Sequence, residues 1–268
     1  MTIDTKKELG QQGFDPIKHR GQNFLVSPEI IEKIINSAQI KTGEIILEVG
    51  PGTGNLTEAL LKSGAEVVAV EKDRSLTQLL KIKYQNSNIK IIEGDILKFS
   101  ETKIKKPYRI IANIPYYLTG ALIQKFLLSR NKPTELILMV QKEVGERLAA
   151  RPPKANYLSS LVQFIAKTEI LLKVGKENFW PQPKVDSVVI KLTPHQTINV
   201  ETVKFFEFLK VVFKQPRQTL FNNLRKSGLI NMAKLDATLQ KLGLDKKIRP
   251  QNLDITQLQE LFLKIHGS

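Results

Sequence analysis

Glu48-Val49-Gly50-Pro51-Gly52-Thr53-Gly54-Asn55 decides the fold. The apolar residues before it, Ile45–Val49, read as a strand, and 56–63 after it read as a helix. Glycines between a strand and a helix let the backbone turn tightly and approach a ligand closely. Working outward, 67–70, 89–92, 108–112 and 136–140 read as further strands, with 75–84 as a helix and helical patterns after the last two strands. The segments 168–174 and 187–192 supply two late strands, joined more directly. Strands alternating with helices predict a parallel sheet covered on both faces. The fold class is therefore α/β, a Rossmann-like seven-stranded sheet followed by a small all-helical domain.

Three segments are expected. Residues 1–20 read as a flexible basic tail, 21–195 as the sheet-bearing domain, and 196–268 as a helical domain. Ser27-Pro28 marks a helix start, with Ser as N-cap and Pro at the first helical position. After Thr193-Pro194 only helical spacing remains, and Phe205, Phe206, Phe208, Leu209, Val212 and Phe213 read as core. The chain carries 41 Lys and Arg against 26 Asp and Glu, a net charge of +15, which favours a polyanionic partner such as nucleic acid. There is no Cys, which excludes disulfides and thiolate metal sites, and the three His residues are scattered. No metal is expected. No apolar run approaches the length of a membrane span and the N-terminus is polar, so the expected location is the cytoplasm.

Acidic residues at strand ends give the glycine turn a ligand. Glu71 ends the second strand, where a carboxylate can take both ribose hydroxyls. Asp95 follows the third strand, where it can accept from an adenine amino group with Ile96 against the ring face. NAD and S-adenosylmethionine both carry adenosine. The spacing here is Gly-x-Gly-x-Gly, preceded by an acid, which suits a sulfonium or ammonium group better than pyrophosphate. Asn113-Ile114-Pro115-Tyr116 then follows a strand. The Asn113 side chain and the Ile114 carbonyl can accept from the amine of a planar ring, and Tyr116 can stack on it. A hydride-transfer enzyme has no use for such a grip, so S-adenosylmethionine is the cosubstrate expected.

Gly21-Gln22-Asn23-Phe24-Leu25, the glycine stretch, Glu71-Lys72-Asp73, Gly94-Asp95-Ile96 and Asn113-Ile114-Pro115-Tyr116 occur in one order. With Phe179-Trp180-Pro181-Gln182-Pro183-Lys184-Val185-Asp186-Ser187 and the segment Phe213 to Leu220, the chain resembles the ribosomal RNA adenine N6-dimethyltransferases over nearly its whole length. That resemblance implies a class I methyltransferase sheet, with 21–195 as the S-adenosylmethionine-binding catalytic domain and 196–268 as a helical RNA-binding domain, and transfer of two methyl groups to each of two adjacent adenosines near the 3′ end of 16S rRNA, within the assembling small ribosomal subunit. It implies that Gln22, Asn23, Leu25, Gly50, Gly52, Glu71, Asp95, Ile96 and Asn113 hold S-adenosylmethionine. It also implies that Asn113, Ile114, Pro115 and Tyr116 hold the target base, with Phe179 as a second aromatic wall. Arg20, Arg147, Arg217, Arg225 and Lys226 are the candidate RNA contacts, with further basic groups at Lys103, Lys105, Lys106, Arg151 and Lys154. A monomer is expected.

The chain departs from the family at Pro216 and Gln218, where basic residues are usual, at Ala155-Asn156-Tyr157-Leu158-Ser159, and at Gln251. These bear on docking, not on the chemistry. The rival readings are a related methyltransferase acting on 23S rRNA, a non-catalytic assembly or transcription factor on the same fold, and a dehydrogenase.

Overall fold

The computed structural model describes residues 23–195, 201–227 and 232–266. The expected tail, with Arg20, lies outside the described residues, as do the candidate cofactor residue Gln22 and the start of the expected helical domain. In chain order the first elements are β1 (Phe24–Leu25), α1 (Pro28–Ala38), β2 (Ile45–Val49), α2 (Asn55–Lys62), β3 (Glu66–Glu71), α3 (Arg74–Lys83) and β4 (Ile89–Glu93). There follow β5 (Tyr108–Asn113), α4 (Thr119–Leu127), β6 (Glu135–Gln141), α5 (Lys142–Ala149), α6 (Tyr157–Ile165), β7 (Ala166–Val174), β8 (Phe179–Trp180) and β9 (Ser187–Pro194). Four helices end the chain: α7 (Glu201–Val212), α8 (Leu220–Ser227), α9 (Met232–Lys241) and α10 (Ile255–His266).

Local chemistry sets the helix starts. The Ser27 hydroxyl accepts from the Ile30 amide at the head of α1, and Pro28 occupies the first turn, where an N–H is not needed. Asp73 caps α3 by accepting from the Ser75 and Leu76 amides at 2.9 and 3.3 Å. α1 ends at Gln39, whose φ of 49° breaks the helix.

Seven strands form one sheet in the order β4-β3-β2-β5-β6-β9-β7. β4, β3, β2, β5 and β6 run parallel, so Glu71 opposite Glu93 and Asn113 opposite Met139 arrive at the same edge. β9 runs antiparallel to β6, with Gln141 opposite Ser187. The parallel sheet expected from the alternation thus runs from β4 to β6, and the late strand β9 is its antiparallel member. The reversal brings the first residue of β9, not its last, to the edge where the parallel strands finish. A second ribbon, β1 against β8, was not anticipated: Phe24 pairs with Trp180 and Leu25 with Phe179.

The chain divides into two units. One holds the described residues up to Gly145 together with Glu169–Pro194; the other holds Glu146–Thr168 and the described residues from His195 on. The expected boundary at 195/196 therefore misassigns 146–168. The reason lies in the side chains of α6: Tyr157, Leu161 and Phe164 pack on the cluster of Phe205, Leu209, Leu258 and Phe262. Phe164 and Phe205 have ring centroids 4.3 Å apart. Of the phenylalanines read as core, Phe205, Phe208 and Phe213 are buried and Phe206 is partly buried against them.

Candidate active site

The cofactor cradle forms where β2, β3 and β5 end. A cavity of about 430 Å³ opens there, within the range of small-molecule sites. Of the expected cofactor residues, Asn23, Leu25, Gly50, Gly52, Glu71, Asp95, Ile96 and Asn113 all line it, and so do Ile114, Pro115 and Tyr116.

Residues 23–25 cross the glycine turn as a strap. Asn55, the first residue of α2, donates from Nδ2 to the Leu25 carbonyl at 2.8 Å. The Phe24 ring lies so close to Gly52 that a Cβ there would sit 2.8 Å from it, and Gly52 has φ of +60°. Only glycine meets both demands. Phe24 and Asn55 were not singled out from the sequence; the strap's path over the loop is what gives them a role.

Glu71 is buried, and its carboxylate accepts from the Gly52 amide at 3.2 Å and the Asp73 amide at 2.9 Å. Burial pushes its pKa up, and these backbone donors oppose that. Glu48 is 1% exposed, accepts from the Thr57 hydroxyl at 2.6 Å, and is pushed up to about 8, chiefly by burial. Asp95 behaves oppositely. The Leu97 amide and the Lys72 ammonium, 2.9 and 3.0 Å away, hold it below the usual carboxylate range. The cavity thus has two buried carboxyls, Glu48 and Glu71, pushed toward the neutral form, and one carboxylate, Asp95, held ionised at its side. That donor set fits an adenosine carrying a positive charge: Asp95 and Ile96 suit the base, Glu71 the ribose, and the end near Glu48 the cationic group, whose charge would favour the ionised form of a carboxyl that burial alone keeps neutral.

Asn113 closes β5. Its Nδ2 donates to the Asn23 carbonyl at 3.0 Å. Only the nitrogen side of an amide can donate, so Oδ1 is turned away from the strap as an acceptor. Pro115 then opens a 3-10 turn over Tyr116–Leu118, closed by the Leu118 amide on the Pro115 carbonyl at 2.9 Å. The Tyr116 ring is half-buried, while Tyr117, also lining the cavity, is 64% exposed. Tyr117 was missed because the sequence offers nothing to separate it from its neighbour.

Phe179 is not brought to the cavity. It is 3% exposed and packs with Leu25, Ile30, Ile31 and Val174, because its pairing with Leu25 turns it into the core. Arg147, Arg217, Arg225 and Lys226 are exposed and belong to the helical unit. Lys103, Lys105 and Lys106 are exposed on the sheet-bearing unit.

A family model described as "Ribosomal RNA adenine dimethylase" matches residues 17–266. The chain is 40% identical over 278 residues to "Ribosomal RNA small subunit methyltransferase A" of Lactobacillus acidophilus, covering 97% of this chain and 94% of that protein. It is 37% identical over 270 residues to the protein of the same name from Clostridioides difficile, covering 96% and 93%. Among solved structures it is similar to a dimethyladenosine transferase from Plasmodium falciparum, with a TM-score of 0.76 and 27% identity over 90% of this chain and 96% of that one. The fold is that of a class I methyltransferase, and the chain belongs to the ribosomal RNA adenine dimethylase family.

Proposed function

We propose that this chain dimethylates the exocyclic N6 of two adjacent adenosines near the 3′ end of 16S rRNA, with S-adenosylmethionine as cosubstrate. In this reading it acts as a cytoplasmic monomer on the assembling small ribosomal subunit. The observation that carries the reading is the Asn113 amide: the Asn23 carbonyl holds its nitrogen at 3.0 Å and leaves its oxygen to accept from a substrate amine. The strap that orients this amide also lines the cofactor cavity. The small-subunit substrate is favoured over 23S rRNA by the names of the relatives.

When bound, S-adenosylmethionine supplies the sulfonium methyl and takes back the electron pair of the C–S bond as a neutral thioether. The chain's own residues position the amine. An adenine amine is conjugated with its ring and is a poor nucleophile. Asn113 Oδ1 and the Ile114 carbonyl draw its hydrogens out of the ring plane and localise the lone pair. Such catalysis rests on positioning and electrostatics. No strong base is needed before attack, because the amine becomes acidic only once methylated, and the proton it then sheds passes to water. The base must leave its stack to reach the cavity. Stacking on Tyr116 offsets that by about 1–3 kcal/mol.

Labelled S-adenosylmethionine offered in parallel to unmodified small subunits, large subunits and naked RNA tests this. Label is expected in N6-methylated adenosine of small subunits alone. Asn113→Ala is expected to lower turnover by about 100-fold or more while S-adenosylmethionine still binds, more weakly. Wild-type turnover in that variant, or label confined to large subunits, refutes the reading.

A further inference from the structure

One partly buried polar contact at the site takes no part in the chemistry just described. The Tyr116 hydroxyl and the Ser187 hydroxyl lie 2.8 Å apart, joining positions separated by 71 residues. Ser187 is the first residue of β9 and is 0% exposed. It reaches Tyr116 because β9 runs antiparallel to β6, which puts Ser187 opposite Gln141 at the edge where β5 ends in Asn113.

Ser187 is a fixed point. The Asp186 carbonyl before it accepts from the Lys142 amide at 2.9 Å, and the Asp186 carboxylate accepts from the Lys176 amide at 3.3 Å. Val188 after it is pressed against Gly145, where an added Cβ would overlap its Cγ2. The Tyr116 ring, by contrast, stands on a short 3-10 turn and is half-buried. A tyrosine with a free hydroxyl samples several rotamers, whereas one tied at its far end is held in one. Burial keeps the Tyr116 hydroxyl neutral well above physiological pH, so the tie persists across the working range.

We propose that Ser187 is a positioning residue that locks the Tyr116 ring as the stacking plane for the target adenine, and that this lock matters most for the second methyl transfer. The proposal rests on the reading that adenine stacks on Tyr116. The unmodified amine has two hydrogens, and the two acceptors at Asn113 and Ile114 hold both. The monomethylated amine keeps one. Half of the polar grip is then lost, and the ring plane carries more of the alignment. A loosened Tyr116 therefore slows the second transfer more than the first.

The test compares full-length wild type, Ser187→Ala, Tyr116→Phe and the double variant on unmodified small subunits with saturating S-adenosylmethionine. Monomethyl- and dimethyladenosine are quantified in the digested RNA over time, with cosubstrate affinity and Tm measured alongside. Ser187→Ala is expected to slow the second transfer by about tenfold and the first by no more than about threefold, so that monomethyladenosine accumulates. Cosubstrate affinity is expected to stay within about twofold, and the double variant to be no worse than the poorer single, as for two ends of one bond. Equal slowing of both transfers, a wild-type product ratio, or additive losses in the double variant overturns the proposal. If Ser187→Ala does not fold, Tyr116→Phe cuts the same bond from its other end, and the product ratio decides in the same way. A wild type that transfers no label to adenine overturns the substrate reading itself; one that dimethylates beside an unaltered Ser187→Ala overturns only the role of Ser187.

Discussion

Glu48 and Glu71 line the same cavity but are held differently. Glu71 accepts from backbone amides, which offset part of its burial, whereas Glu48 has the Thr57 hydroxyl and is pushed from 4.5 up to about 8. The folded protein thus keeps a proton on Glu48 that the unfolded chain loses near 4.5. Between that pH and about 8 the native state binds more protons, so stability falls as pH rises and levels off above the folded value. Glu48→Gln removes the ionising group but keeps an oxygen for Thr57. Thermal melts from pH 5 to 9 are expected to show wild type losing Tm relative to the variant, with the gap widest at the alkaline end. Parallel curves would contradict a buried neutral Glu48. The acid itself was legible as a residue before the glycine turn; its protonation was not, because that depends on how much water the folded chain removes. Asn113 is similar. Its residue type suggested an amine grip, but the Asn23 carbonyl, 90 positions away, determines which end of the amide accepts.

β5 shows what an apolar pattern leaves out. Its strand was read from the run 108–112, within which Arg109 is the exception. The structure buries Arg109 to 8% exposure and surrounds it with the Ala38 carbonyl at 2.7 Å, Glu44 at 3.2 Å, and Glu135. These partners sit in α1, before β2 and at the start of β6, so one guanidinium ties three segments to the edge of the sheet opposite the cavity. Removing it strands two carboxylates. A buried pair broken on one side costs about 3–5 kcal/mol. Glu44 and Glu135 keep 23% and 20% of their side-chain surface, and Lys191 lies 3.9 Å from Glu135. The penalty for Arg109→Met is therefore expected to be smaller, about 2 kcal/mol. Urea unfolding checks it, and the cofactor affinity of the folded variant is expected to be unchanged. A loss under about 0.5 kcal/mol would mean that the ion pairs contribute nothing net.

For the whole molecule, the excess of positive charge sets the expected mode of RNA binding. Phosphate contacts release counterions, so affinity falls steeply with salt. Arg225 and Lys226 stand exposed in the last turn of α8, where cations also suit the helix terminus. Reversing both to Glu is expected to weaken RNA binding at low salt and to flatten the slope of log affinity against log salt by about 1.4, or roughly 0.7 per lost contact on single-stranded RNA. An unchanged slope would assign these residues to the helix end alone. The sequence by itself determined the alternation of strands and helices, the glycine turn, the acids at strand ends and the Asn-Ile-Pro-Tyr turn after β5. All of these are local, written at spacings of two, of three to four, or of adjacent residues. Only the tertiary structure decided the reversal of β9, the β1–β8 ribbon that turns Phe179 into the core, and the transfer of 146–168 to the helical unit. It alone also decided the bond from Ser187 to Tyr116. Each of these joins residues far apart in the chain, and which distant faces meet is chosen by packing and burial rather than by any pattern within one segment.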